Sequence, residues 1–172
     1  RFAFVGNGGD AGGVNYPDMG VPLSKYGFAV ASTDTGHNGT AVDGSFAISN
    51  PQSQIDFGYR AVHLSTTFAK TIAQAYYGQK PAYNYWIGCS SGGKQGVKSA
   101  QMYPADFDGV VAGAPAQWWS HLNGFTMHVN MLNANATTPG QTIPASLFTA
   151  LNKEVVSQCD KLDGVSDGIL TN

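Results

Sequence analysis

Tyr83-Asn84-Tyr85-Trp86-Ile87-Gly88-Cys89-Ser90-Ser91-Gly92-Gly93 is the stretch that decides how this chain folds. Tyr83 to Ile87 is aromatic and β-branched, the composition of a strand. Gly88 to Gly93 is a tight turn, and Lys94 to Met102 reads as a helix closed by Tyr103-Pro104. Gly88-Cys89-Ser90-Ser91-Gly92 therefore fits G-x-S-x-G between a strand and a helix. There the serine sits on a strained turn, and small residues two before and two after it keep the neighbouring backbone clear. Its hydroxyl is exposed at the carboxyl edge of a sheet, and the next helix aims free N–H groups at developing negative charge. The letters alone also fit an ordinary Gly/Ser-rich strand-to-helix loop. The strand before and the helix after them favour a nucleophile.

On the amino side, residues 1–5 read as a strand, followed by the glycine-rich turn Gly6-Asn7-Gly8-Gly9-Asp10-Ala11-Gly12-Gly13. Such a turn can face backbone N–H groups toward a ligand and supply the second donor of an oxyanion hole. Gly6-x-Gly8-x-x-Ala11 also approaches a dinucleotide-binding G-x-G-x-x-A. That motif must open a helix, and Tyr16-Pro17 predicts none here. Gly27 to Ser32 reads as a second buried strand, and 33–55 as a long polar loop. From Asp56 the period changes: Ala61, Leu64, Ser65, Phe68, Ile72 and Ala75 recur at helical spacing, and Gly78 supplies a C-cap. On the carboxyl side, Phe107 to Ala112 is a further strand. The order β, β, α, β, turn, α, β predicts a largely parallel sheet with helices on its faces. After Trp118-Trp119 the character shifts. Residues 120–143 show no clear period. A helix is predicted from Pro144 to about Gln158, with Leu147, Leu151 and Val155 on one face. An acidic loop runs from Cys159 to Gly168, and a boundary falls near 118–122.

Composition sets outer limits. The chain has 172 residues, 42% hydrophobic and 12% charged, with 9 Lys+Arg against 11 Asp+Glu. It is long enough for one core. It offers no basic patch for nucleic acid and no apolar run near the ~18 residues of a membrane span. No signal peptide opens it, and it starts directly in a strand, which leaves room for an upstream segment. Cys89 and Cys159 permit one disulfide but make no framework. The triplets at Asn38 and Asn135 are glycosylation sequons, a weak pointer to secretion. Asp160, Asp163 and Asp167, interleaved with glycines, suit either a hard cation with oxygen ligands or a solvated turn. His37, before Ser90 in a loop, reads as a structural hydrogen-bonding residue, His63 as a satisfied packing residue, and Asp108 as structural. Trp118 and Trp119 fit either core packing or stacking on a ligand ring.

Separated motifs run through the chain in order: Gly6-Asn7-Gly8-Gly9, Ser32-Thr33-Asp34-Thr35-Gly36-His37 and Phe57-Gly58-Tyr59-Arg60-Ala61-Val62-His63. They continue through Gly88 to Gly93 with Gln95-Gly96, then Asp106-Phe107-Asp108-Gly109 and Gly113-Ala114-Pro115-Ala116. Cys159-Asp160, Asp163-Gly164 and Asp167-Gly168 close the series. Together they resemble the tannase/feruloyl esterase family. The resemblance implies an α/β-hydrolase core over 1–118 (the amino-proximal half of the sheet) and the start of a mostly helical lid over 119–172. It implies a secreted serine esterase of aromatic, hydroxycinnamic or gallic, acids. Ser90 is its nucleophile, and the backbone N–H groups of Ser91 and Gly9 are its oxyanion donors. It implies a structural Ca²⁺ in the lid, held by the side chains of Asp160, Asp163 and Asp167 and the carbonyls of Val165 and Ile169. Cys89 and Cys159 are each expected to pair with cysteines outside this chain. The family's acid and histidine follow the lid, so residues 1–172 alone are expected to lack both and to need the remainder of the same enzyme chain. An aromatic monoester hydrolase, or a non-catalytic fragment or binding module, is the alternative.

Overall fold

The computed structural model describes residues 1–134 and 142–170. They form two compact units, Arg1–Gln117 and Trp118–Asn172. The first holds a sheet of four parallel strands: β1 (Phe2–Val5), β2 (Ala29–Ala31), β3 (Asn84–Cys89) and β4 (Gly109–Gly113). Their spatial order is β2-β1-β3-β4. Its helices are α1 (Tyr16–Tyr26), α2 (Pro51–Ile55), α3 (Ala61–Tyr77) and α4 (Ser91–Met102). All of β1 is buried, as a continuous apolar strand covered on both faces should be. Phe2, Phe4, Val62 and Trp86 form the core, with Ala29, Ala31, Ala69 and Phe107 packed against them. Trp86 stacks on Phe4 at 5.4 Å and meets Phe107 edge-on at 5.6 Å.

Several expectations are corrected. α1 forms where Tyr16-Pro17 predicted no helix. Pro17 lies in the first turn, where its missing N–H has no intrahelical partner to lose. Asn15 caps that turn by accepting from the Asp18 N–H at 3.3 Å, and Gly27 ends the helix at φ 64. The polar loop is shorter than expected, since α2 begins at Pro51 under an Asn50 cap. A π-helical turn, Asp56–Arg60, joins α2 to α3. In α3 the predicted stripe faces the wrong way. Leu64, Phe68 and Ile72 are 57%, 68% and 53% exposed, while Val62, Thr66 and Ala73 are buried. Both sets have helical spacing; the smaller side chains let the helix lie close to the sheet, so they won. α4 begins at Ser91, earlier than Lys94.

The second unit contains α5 (Trp119–Ala134) and α6 (Ala145–Cys159). α5 forms where no regular element was expected. Its apolar residues are spread around the helix and carry no one-sided stripe, and periodicity is blind to such a helix. Pro144 is the N-cap of α6 rather than its first residue. Trp118 stacks on His121 at 3.6 Å.

Candidate active site

Ser90 stands between β3 and α4 with φ 59 and ψ −119, a left-handed backbone for a non-glycine residue. Such strain persists only where the surroundings over-determine it, and here they do. The Ser90 N–H donates to the Gly113 carbonyl at 3.0 Å. Its carbonyl accepts from the N–H groups of Lys94 at 3.0 Å and Ala116 at 3.1 Å. Close approach explains the glycines around it. A Cβ on Gly88 would stand 2.5 Å from the Gly92 carbonyl oxygen. One on Gly92 would stand 2.9 Å from that of Asn7, and one on Gly6 2.6 Å from the Gly92 Cα. The Trp86 indole N–H donates to the Gly92 carbonyl at 2.9 Å and pins the first turn of α4 from below. Ser90 itself is exposed and Ser91 buried. As the first residue of α4, Ser91 has an N–H without an intrahelical acceptor.

The strand order places the crevice. β1 is flanked by β2 and β3, so the chain leaves β1 and β3 in different directions, and a crevice opens beyond their carboxyl ends. The glycine turn after β1 and the elbow after β3 meet there. The Asn7 N–H donates to Gln95 Oε1 at 3.0 Å, and Asn7 Nδ2 donates to the carbonyls of Gly13 at 2.8 Å and Thr33 at 2.9 Å. Asn15 Nδ2 donates to the Gly6 carbonyl at 2.7 Å. Asn7 and Gln95 are 4% and 2% exposed. Sequence reasoning assigned no role to Asn7, Asn15 or Gln95. The usable signal was an amide side chain in a glycine turn and another at a buried helix position. An open pocket of about 460 Å³ is lined by Gly6, Asn7, Gly8, Ala11 and Cys89 among others. Gly9, at φ 55, does not line it. Lys94, on the first turn of α4, holds its ammonium 4.0 Å from the centre of the Phe57 ring. Burial pushes its pKa down to about 8, with Asp10 acting in the opposite sense.

The remaining residues lie elsewhere. His63 Nδ1 is 2.8 Å from Asp106 Oδ2, and the ring stacks on Tyr103 at 3.7 Å. This pair could pass for a catalytic dyad. Asp106 precedes β4, however, and so stands at the sheet edge opposite Ser90. Asp108 accepts from the Asn84 N–H at 2.7 Å, and that bond holds its carboxyl below the usual range. In the second unit, Asp160 accepts from the Gly168 N–H at 2.6 Å and from the Ser166 hydroxyl at 2.7 Å. Asp163 accepts from the Val165 N–H and Asp167 from the Ile169 N–H. Among the described residues no three His, Cys, Asp or Glu side chains are grouped to hold a metal. Cys89 and Cys159 are both free thiols. Asn38 is exposed, and Asn135 lies outside the described residues. No helix among the described residues is long and apolar enough to cross a membrane.

Comparison with known proteins places these features in a family. The model of a family described as tannase and feruloyl esterase matches residues 1–172. A probable feruloyl esterase B-1 of Aspergillus fumigatus is 41% identical over 99% of this chain and 31% of its own length. Its counterpart in Aspergillus terreus is 37% identical over the same shares. The crystal structure of feruloyl esterase B from Aspergillus oryzae superposes with a TM-score of 0.87 at 40% identity, over 100% of this chain and 34% of that one. The tannin acyl hydrolase of Aspergillus niger shares the fold, with a TM-score of 0.72 at 24% identity, over 99% of this chain and 32% of that one. The chain spans about a third of the length of these relatives.

Proposed function

The chain belongs to the tannase and feruloyl esterase family and has its α/β-hydrolase fold, and from that premise we propose that it carries the nucleophile of a serine esterase acting on esters of aromatic acids. The left-handed Ser90 at the crevice beside the glycine turn is the observation that supports this most directly. Ser90 Oγ attacks the ester carbonyl carbon while a general base takes its proton. The N–H groups of Ser91 and the first glycine turn stabilise the tetrahedral oxyanion. Gly9 is the turn donor read from the sequence, and Gly8 is the one that lines the pocket. Collapse breaks the bond to the alcohol, which leaves with the proton returned by the base. Water then attacks the acyl-enzyme, gives its proton to the base, and releases the acid and Ser90. The base is assigned outside the first unit. His37 is engaged through Nε2 with the Asp10 carbonyl of the glycine turn and faces Thr35 with Nδ1, and His63 is held at the opposite edge.

The names of the relatives support a feruloyl or related aromatic acyl group; a secreted setting and a lid role for the second unit are proposed with it from the family resemblance. Asp160, Asp163 and Asp167 with the carbonyls of Val165 and Ile169 are an all-oxygen set, which fits Ca²⁺ by chemistry. Each carboxylate has about four lone-pair sites, so its bond to a loop donor does not exhaust it. A bound Ca²⁺ would stiffen that loop and would take no part in ester cleavage. Cys89, exposed beside Ser90, is proposed to pair with a cysteine outside the described residues.

The test uses the full-length enzyme with methyl ferulate. Ser90→Ala is expected to abolish turnover and labelling by a fluorophosphonate, with the fold retained by circular dichroism. Turnover retained in that variant overturns the assignment.

A further inference from the structure

We propose that His37 is a positioning residue of this esterase, one that clamps the outer arm of the first glycine turn and so aims the turn's N–H groups at the carbonyl attacked by Ser90. The proposal rests on the reading of Ser90 given above.

The turn has two arms. The inner one, Gly6 and Asn7, is tied to the sheet through Ile87, to α4 through Gln95 and to the cap of α1 through Asn15. The outer one, Asp10 to Gly12, is held by a segment that follows β2. The Asp10 N–H donates to the Ala41 carbonyl at 2.9 Å, and Gly12 exchanges both backbone bonds with Gly39 at 3.0 and 3.2 Å. His37 Nε2 donates to the Asp10 carbonyl at 2.8 Å, and Thr35 Oγ1 lies 3.2 Å from the Ala11 carbonyl. Gly8 and Gly9 lie between the two arms. The direction of their N–H groups is therefore set by how firmly both arms are held.

His37 is the best-braced side chain of the outer clamp. A carbonyl oxygen can only accept, so the Asp10 contact places a proton on Nε2; Nδ1 stands 3.2 Å from Thr35 Oγ1, whose single proton also has the carbonyls of Asp34 at 2.6 Å and Ala11 at 3.2 Å within reach. The ring stacks on Phe46 at 3.6 Å and meets Phe57 edge-on at 5.8 Å. A Cβ on Gly12 would fall 2.5 Å from the ring, so ring and turn are in direct contact. Thr35, fully buried at φ 60, carries strain in the same segment. The clamp also reaches the elbow. Phe57 lies beneath the ammonium of Lys94, whose backbone N–H holds the Ser90 carbonyl. Catalytic donors have to be held to about half an ångström, and a ring fixed through Nε2 and on one face provides that.

The test is made in the full-length enzyme with methyl ferulate. His37→Phe keeps a ring for Phe46 and removes both nitrogens, whereas His37→Gln keeps a donor within reach of Asp10. Losing an oxyanion donor outright costs about 10²–10³ in kcat, so misaiming one is expected to lower kcat by about 10- to 100-fold in His37→Phe. KM is expected to stay within about threefold, because the ground-state carbonyl makes little use of the hole. An aryl boronic acid, which adds to the serine as a tetrahedral anion, is expected to weaken with kcat, and ferulate itself to bind as before. His37→Gln is expected to recover most of the loss. Phe46→Ala, which loosens the ring but leaves its nitrogens, is expected to lower kcat to a smaller degree at unchanged KM, and it serves if His37→Phe does not fold. A folded His37→Phe at parental kcat overturns the clamp, as does a rise in KM alone, or a Gln variant as impaired as the Phe variant. If Ser90→Ala is inactive while the His37 variants are fully active, only the clamp falls. If Ser90→Ala retains turnover, the esterase reading falls and the clamp with it.

Discussion

Three glycines, Gly6, Gly88 and Gly92, meet where the first turn, the end of β3 and the start of α4 cross, and the site exists because none of them carries a side chain. Each would place a Cβ within 3.0 Å of backbone, and backbone cannot move aside as a flexible side chain can. Lys94, one turn after the nucleophile, is a different kind of constraint. Burial lowers its pKa from 10.5 to about 8, so the folded state releases a proton that the unfolded chain keeps. Stability rises with pH wherever the unfolded state binds more protons. The cost of charging Lys94 is thus full below pH 8, declines as pH rises toward 10.5, and vanishes above it. Such a shift corresponds to at most about 3 kcal/mol. Lys94→Met is expected to raise the melting temperature at pH 7, and its advantage over the parent is expected to shrink between pH 8 and 10.5. Parallel melting curves across that range would contradict the assigned burial.

At the scale of elements, α3 shows how a helix can be recognised while its orientation is misread. Ala61, Leu64, Phe68 and Ile72 form a stripe as regular as that of Val62, Thr66, Ala69 and Ala73. Periodicity carries a spacing; when two apolar stripes compete, the sheet surface selects between them by shape. Val62→Ala is therefore expected to cost about 1–2 kcal/mol through the cavity it leaves in the Phe2–Phe4–Trp86 core. Phe68→Ala, though it deletes far more surface, is expected to change stability by less than about 0.5 kcal/mol. Urea melts of the two variants check this, and the reverse order of effects would show that the first-read stripe faces the core. α1 teaches a related lesson. Pro17 marks a helix start when an Asn cap precedes it, and the two letters Tyr16-Pro17 cannot tell a start from a stop without that cap.

For the molecule as a whole, the two units carry different parts of the proposed function. The first holds the elbow, the glycine turn and the clamp; the second holds the acidic loop proposed for Ca²⁺. If a cation stiffens that loop, hydrogen exchange on the full-length protein is expected to slow at residues 160–169 when Ca²⁺ is added and to recover with a chelator. In Asp163→Asn no such protection is expected, while methyl ferulate cleavage at saturating substrate stays near the parental rate. Unchanged exchange at millimolar Ca²⁺ would remove the ion from the account. The sequence by itself determined the parallel α/β class, the strand–turn–helix around Ser90 and the family, because these rest on local propensity, on turn geometry and on glycines whose spacing is a short-range property. It also marked His37 as a structural residue. Tertiary structure alone decided which face of α3 is buried, which edge of the sheet holds the His63–Asp106 pair, and that Asn7, Asn15, Gln95 and His37 converge on one glycine turn. Those are contacts between segments far apart in the chain, and they depend on the strand order β2-β1-β3-β4, which no local pattern encodes.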